Sequence, residues 1–211
     1  MSTPRRKSDP TRVLLVEDND VVRRVIKRIL GKKRDITVCG GSGESKDVLG
    51  RIEENQPTLV LLDLSLRGHD GLQLTRRIHE RFRHVHILVF SMHSEELFAE
   101  RALRLGAHGY LRKGCEPETL VDAVRKVARG DIYISEAAER HIMNRMRGEA
   151  DSGGWDTTDL TDRQIEVFGL LCDGMTVAEI AKRLDLHVKT VEAHRAKIRS
   201  KLVSPVKEKV S

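Results

Sequence analysis

Four short apolar runs in the first 113 residues end on side chains able to handle a phosphoryl group or a divalent cation. Val13–Val16 runs into Glu17 and Asp18, Leu59–Leu62 into Asp63, Ile87–Phe90 into Ser91, and Tyr110-Leu111 into Arg112-Lys113. Three carboxylates brought together repel one another. A hard divalent cation relieves the repulsion, and Mg2+ suits carboxylates supplemented by a carbonyl and waters. A carboxylate held beside such an ion and an ammonium can attack phosphorus, because the cations neutralise the phosphoryl oxygens. The Ser91 hydroxyl can bond one of those oxygens and Lys113 another. Singly, each residue has a plainer role: a strand-end Asp or Ser caps the next helix, and Lys113 is a surface lysine. All of them at matching strand ends carry more weight than any one match.

Those side chains meet only if the runs lie side by side. The runs, with Ile36–Val38, are β-branched or leucine-rich and show little internal alternation, the mark of strands buried on both faces. Between them lie stretches with helical spacing. Val21, Val22, Val25, Ile26, Ile29 and Leu30 form one stripe; Leu72, Leu74, Ile78 and Phe82 suggest another. Leu97, Ala102 and Leu105 follow, and then Leu120, Val121, Val124 and Val127. Alternating strands and helices predict an α/β fold, a doubly wound (βα)5 parallel sheet over residues 11–130. Ligands of such a sheet sit at the carboxyl ends of its strands, where the five side chains fall.

The composition narrows the field. Of 211 residues, 39% are hydrophobic and 33% charged, so the chain is expected to be globular and soluble. Aromatics are only 3%, too few for modules that stack bases on several rings. No apolar run approaches the ~20 residues of a membrane span. The polar start, residues 1–10 with Arg5, Arg6 and Lys7, reads as a disordered basic tail and not a signal peptide. Cys39, Cys115 and Cys172 are far apart, which predicts no disulfide framework, no zinc site and a cytoplasmic setting.

A second unit follows. Residues 131–157 read as a linker, with a helix at 135–146 and a flexible glycine-rich tether at 147–157. Residues 158–211 read as a small all-α domain. Thr161-x-x-Gln164 and Thr176-x-x-Glu179 are capping boxes opening two helices, and a third spans about Val188–Leu202 after a turn at Asp185–His187. Two short helices before a longer basic one make a helix-turn-helix pattern. The net charge of +6 lies wholly before residue 151, with 28 basic and 22 acidic residues there against 10 of each afterwards. Within the neutral tail, Lys189–Lys209 holds seven basic residues against two acidic. Such a stripe suits phosphates; alone it is equally a solvated helix face.

The third helix sorts by face. Val191, Ile198 and Leu202 fall on one side with His194 near them, predicted to bury against Ile165, Phe168, Leu171, Ile180 and Leu184. Lys189, Glu192, Ala193, Ala196, Lys197 and Ser200 share the other side, at spacings that let one face enter a major groove. Glu192 can accept from cytosine and Lys189 donate to guanine, while Arg195, Arg199 and Lys201 flank the face and suit phosphates. The helix start after Thr176 offers a further phosphate contact. A helical protein-docking module is the competing reading.

The segments Leu15-Val16-Glu17-Asp18-Asn19, Leu61-Leu62-Asp63-Leu64, Phe90-Ser91 and Gly109-Tyr110-Leu111-Arg112-Lys113 resemble the receiver domain of two-component response regulators. Residues 160–202, with Leu160-Thr161-Asp162-Arg163-Gln164, Glu179-Ile180-Ala181 and Lys189-Thr190-Val191-Glu192-Ala193-His194, resemble the LuxR-type helix-turn-helix. Together they resemble the NarL/FixJ class of response regulators over nearly all of residues 11–203. The resemblance implies that Asp63 accepts a phosphoryl group from a sensor histidine kinase. It implies Mg2+ held by Asp63, Asp18, the backbone carbonyl of Ser65 and, through water, Glu17. It makes Ser91 and Tyr110 a switch pair and Lys113 the residue that reads the phosphate. It places Thr190 and His194 with Thr176, Lys189, Glu192, Ala193, Arg195, Lys197, Arg199 and Lys201 at double-stranded DNA. It also implies no enzyme activity beyond self-catalysed phosphotransfer and dephosphorylation.

Three positions depart from the common receiver pattern. Arg67 and Gly114 stand where many receivers carry proline, and Met92 is bulkier than the residue usual after Ser91, so it is expected to narrow the pocket mouth. His187 stands at a helix start where the class often has Ser, a poorer cap. Two other readings compete: an aspartate-nucleophile phosphotransferase, for which no general acid is visible, and an orphan regulator working through protein partners without phosphorylation. Few residues follow Leu202, so the expected phosphorylation-dependent homodimer would pair mainly through the receiver, with RNA polymerase a further candidate partner.

Overall fold

The computed structural model describes residues 10–66, 71–147, 157 and 159–203. The expected basic tail, Arg67, most of the glycine-rich tether and the segment after Val203 lie outside the described residues.

Five strands form: β1 Thr11–Val16, β2 Ile36–Ser42, β3 Leu59–Leu62, β4 His86–Ser91 and β5 Gly109–Arg112. They make one parallel sheet in the order β2-β1-β3-β4-β5. Val13 to Val16 and Leu59 to Leu62 are almost wholly buried, as uninterrupted apolar runs between two helical layers must be. The helices alternate with the strands: α1 Asp20–Gly31, α2 Ser45–Asn55, α3 Gly71–Arg81, α4 Glu95–Arg104 and α5 Pro117–Ala128. Ile26 and Leu30 of α1 and Leu120 to Val127 of α5 build the core on one face of the sheet. Val48 and Ile52 of α2, Leu72 to Ile78 of α3 and Phe98 to Ala102 of α4 build it on the other.

The expected strand at Ile36–Val38 runs four residues further, through Gly40 and Gly41. A methyl group at Gly40 would lie 3.0 Å from Asn55 Oδ1 and 3.1 Å from a Leu14 methyl, so the glycine admits close packing there. The sheet edge gains a bridge from beyond Gly130. Tyr110 N donates to Tyr133 O at 2.8 Å and Tyr133 N to His108 O at 3.1 Å, extending the sheet edge beside β5. The expected linker helix forms as α6, Glu136–Met146, with the Ser135 hydroxyl capping it and Ala138 buried against the core.

The last three helices are α7 Asp162–Cys172, α8 Val177–Leu184 and α9 Val188–Val203. Both predicted capping boxes are present: Thr161 and Gln164 exchange bonds at the start of α7, as Thr176 and Glu179 do for α8. Asp185 in the left-handed region (φ 51°) ends α8 and turns the chain into α9. The three helices share a core that is continuous with the receiver's, because α7 packs on α4. Arg101 Nε meets Asp162 Oδ1 at 2.7 Å, and Gln73 Nε2 donates to Asp162 Oδ2 at 2.6 Å. No helix among the described residues is long and apolar enough to cross a membrane.

Candidate functional site

Three of the predicted pocket residues are each placed by a hydrogen bond that carries the ladder one step past a strand end. Glu17 N donates to Ser42 O at 3.0 Å, Asp63 N to Val16 O at 2.9 Å and Lys113 N to Ser91 O at 2.8 Å. β1 and β3 lie either side of the point where the strand order reverses, so Glu17, Asp18 and Asp63 meet at the sheet's switch point. Asn19 then starts α1, its side chain accepting from Val21 N at 3.0 Å and Val22 N at 3.3 Å. The capping duty expected of a strand-end carboxylate thus falls to Asn19, and the acids are left for the pocket.

One carboxylate oxygen from each of Glu17, Asp18 and Asp63 lies within 4.8 Å of the others. Glu17 and Asp63 are each 3% exposed. Lys113 Nζ spans them, donating to Glu17 Oε2 at 2.6 Å and Asp63 Oδ2 at 2.8 Å. Burial raises the Glu17 carboxyl above the ordinary carboxylate range, and the charge of Asp63 adds to the rise. The Lys113 bond and the Asn19 amide pull the other way. Desolvation thus outweighs like-charge repulsion at Glu17. The donor set is all oxygen and carries three formal negative charges, so it fits a hard divalent cation.

Ser65 N donates to Asp63 Oδ1 at 3.1 Å, which fixes the turn after β3. Ser91 is fully buried, and so is Tyr110. The Tyr110 hydroxyl donates to His93 O at 3.2 Å, and burial raises its pKa strongly. His93 N in turn approaches Ser91 Oγ at 3.4 Å. The sequence reading missed His93, which touches both members of the expected switch pair and also Ser65. Its position two residues beyond Ser91 was the only available signal. Met92 is half exposed, and Gly114 has φ +92°, a conformation closed to proline.

At α9 the predicted faces separate as expected. Val191 and Ile198 are buried, Leu202 partly so, against Ile165, Phe168, Ile180 and Leu184. Lys189, Glu192, Ala193, Arg195, Ala196, Lys197, Arg199 and Ser200 are exposed on the same helix. Thr190 and His194 are half-buried, and burial lowers the His194 pKa. Thr176 is occupied in its capping box. Lys201 is turned back, donating to Asp159 O at 2.7 Å and Gln164 Oε1 at 2.8 Å. His187 is exposed just before α9.

Comparison with known proteins accords with both halves. Residues 13–125 match the response regulator receiver domain, and residues 158–207 match the bacterial regulatory proteins of the luxR family. The chain is 32% identical to the nitrate/nitrite response regulator protein NarL of Escherichia coli K12, over 88% of this chain and 86% of that protein. It is 33% identical to the response regulator UvrY of the same strain, over 90% of this chain and 87% of that protein. A solved two-component response regulator of the LuxR family from Aurantimonas sp. SI85-9A1 superposes with a TM-score of 0.61 at 28% identity. That match covers 66% of this chain and 99% of the other. A receiver with an acidic switch-point pocket, joined to a LuxR-type helix-turn-helix with an exposed basic face, places this chain among the NarL/FixJ-class response regulators, DNA-binding regulators of transcription.

Proposed function

We propose that Asp63 is the phosphoacceptor of a two-component pathway, and that its phosphorylation by a sensor histidine kinase controls sequence-specific DNA binding through α9. The observation that carries this reading is the Lys113 ammonium bridging two buried carboxylates, Glu17 and Asp63, beside Asp18. The pocket is charged and oxygen-lined before any phosphoryl group arrives. An Asp63 oxygen forms the new P–O bond as the P–N bond of a phosphohistidine breaks, and the kinase imidazole leaves. Lys113 is already within reach to follow the phosphoryl oxygens, and the buried Ser91 hydroxyl stands at the carboxyl end of β4. Mg2+ supplies positive charge that offsets the phosphoryl oxygens; Glu17, Asp18, Asp63 and the Ser65 carbonyl would hold it. No outside general acid is needed for that transfer, so any turnover is limited to self-catalysed phosphotransfer and dephosphorylation.

At the other end, the exposed α9 face supports groove reading by Lys189, Glu192 and Ala193, with Arg195, Lys197 and Arg199 toward phosphates. Thr190 and His194 lie at the edge of that face, and the start of α8 at Thr176 adds a phosphate contact. Lys201 would turn to a DNA phosphate from its bonds to Asp159 O and Gln164 Oε1. The domain assignment that goes with this reading is a receiver over 11–130, a linker over 131–157 and the DNA-binding unit over 158–211.

The test is incorporation of acid-labile phosphate from acetyl phosphate or a kinase, with and without Mg2+. Wild type labels only with Mg2+, and Asp63→Asn does not label. Full labelling of Asp63→Asn would overturn the assignment.

A further inference from the structure

Glycines crowd the end of β2: Gly40 and Gly41 lie in the strand and Gly43 just past it. Gly40 packs toward Asn55 and Leu14, but the other two lie against Arg23, near the start of α1. A methyl group on Gly41 would stand 3.3 Å from Arg23 Cδ, and one on Gly43 would stand 3.3 Å from Arg23 Nη1. The same Gly43 methyl would stand 3.6 Å from Glu17 O and 3.7 Å from Asp18 Cα. Gly41 and Gly43 thus leave a corridor beside the acidic pocket. The Arg23 side chain, 29% exposed, runs along it.

The guanidinium does not spend its bonds on the pocket carboxylates. Arg23 Nη1 donates to Glu17 O at 2.5 Å, and Nη2 pairs with Asp20. Glu17 O belongs to the peptide that leads into Asp18. A peptide unit is planar, so holding its carbonyl fixes where the Asp18 Cα stands. The rest of Glu17 is held by other partners. Its amide donates to Ser42 O at 3.0 Å, Oε1 accepts from Asn19 N at 3.1 Å, and Oε2 accepts from Lys113. Arg23 supplies the bond on the Asp18 side, and a charged donor makes it a strong one. Charge alone argues the other way, because a guanidinium beside the pocket repels any cation that enters it. Position and charge therefore predict effects of opposite sign.

We infer that Arg23 is a positioning residue for the divalent-cation site: by holding the Glu17 carbonyl it keeps the Asp18 carboxylate beside those of Glu17 and Asp63. The inference rests on the reading of these three acids as the Mg2+ site. Without the bond the peptide between Glu17 and Asp18 is free to turn, and the three carboxylates lose the close grouping they have in the fold. Contacts that orient metal ligands from outside typically change affinity by about 10- to 100-fold when removed. If Arg23 acts only as a nearby positive charge, its loss tightens Mg2+ binding instead.

The test titrates Mg2+ alone into the full chain by calorimetry, with thermal unfolding in EDTA as a separate report on folding. Arg23→Met should weaken Mg2+ binding about tenfold. Arg23→Lys keeps the charge and a donor but loses the two-pronged fork, and its affinity should fall between Arg23→Met and wild type. Arg24→Met removes the same charge from the next, exposed position of α1 and should not weaken binding. Wild-type or tighter Mg2+ binding by either Arg23 variant overturns the inference, whatever that variant's stability in EDTA. Arg23→Lys therefore keeps the test decisive if Arg23→Met fails to fold. Equal weakening in Arg24→Met also overturns it, since the bond to Glu17 O is then not the cause. Wild-type Mg2+ affinity in Asp18→Ala would instead overturn the reading of the pocket itself.

Discussion

Replacing Lys113 with Met should destabilise the chain when divalent cations are removed, and Mg2+ should restore most of the loss. The Lys113 side chain is 12% exposed and neutralises Glu17 and Asp63, whose side chains are 4% and 3% exposed. Removing one partner of a buried ionic group strands the others, at a cost of about 3–5 kcal/mol. Two features move the cost to the low end: Asp18 keeps the mouth partly open to water, and Glu17, already raised by burial, can take up a proton. A loss of about 3 kcal/mol in a chain of this size lowers Tm by roughly 6–12 °C. The assay is thermal unfolding at neutral pH in EDTA and again in excess Mg2+. The Mg2+ increment should be larger for Lys113→Met than for wild type, because the variant's pocket has one more uncompensated charge. The loss in EDTA should shrink as the pH falls and Glu17 protonates. Equal stability of the two proteins in EDTA, or an equal Mg2+ increment, would refute the electrostatic account of the pocket.

Other outcomes follow from single contacts. Thr161→Ala or Thr176→Ala removes a capping box and should cost about 1 kcal/mol each, seen as earlier loss of helical signal on heating. Burial, with His86 and His79 nearby, holds the His108 ring down from its ordinary 6.5 to about 4, and its Nδ1 accepts from Ile87 N at 3.3 Å. The unfolded chain therefore takes up a proton that the folded chain refuses, so this contribution is complete above pH 6.5 and is lost as the pH falls toward 4. The urea midpoint should drop over that range, and His108→Asn, which keeps an acceptor for Ile87, should flatten the drop. At the DNA, Lys189→Ala or Glu192→Ala should change the preferred sequence by ~1–3 kcal/mol per base contact, while Arg199→Ala weakens all sequences alike and reduces the salt slope by about 1. Binding-site selection and salt titrations separate these effects.

Most of the architecture was legible because it is written in local patterns. Uninterrupted apolar runs gave the parallel strands, and the residues at their ends gave the pocket, since the ladder extends one residue past β1, β3 and β5. The two Thr-x-x-Gln/Glu boxes gave the starts of α7 and α8. What escaped depends on partners distant in sequence. The second run read as Ile36–Val38, yet β2 continues through Gly40 and Gly41 along β1, with a register shift between Val13 and Leu14. Residues after Gly130 read as linker, yet Tyr133 adds to the sheet edge. His93 is the clearest case: its neighbours are Ser65, Phe98 and Gly169, which no local periodicity connects.

The central claim, that phosphorylation of Asp63 governs DNA binding, is tested most directly by mapping binding sites across the genome with wild type and Asp63→Asn side by side. No operator sequence has to be assumed for such mapping. Under conditions that activate the pathway, the wild-type chain should occupy a defined set of sites sharing one sequence, and Asp63→Asn should lose or sharply weaken occupancy at those same sites. Equal occupancy of the same sites by both proteins would contradict the account and leave a regulator that works without phosphorylation.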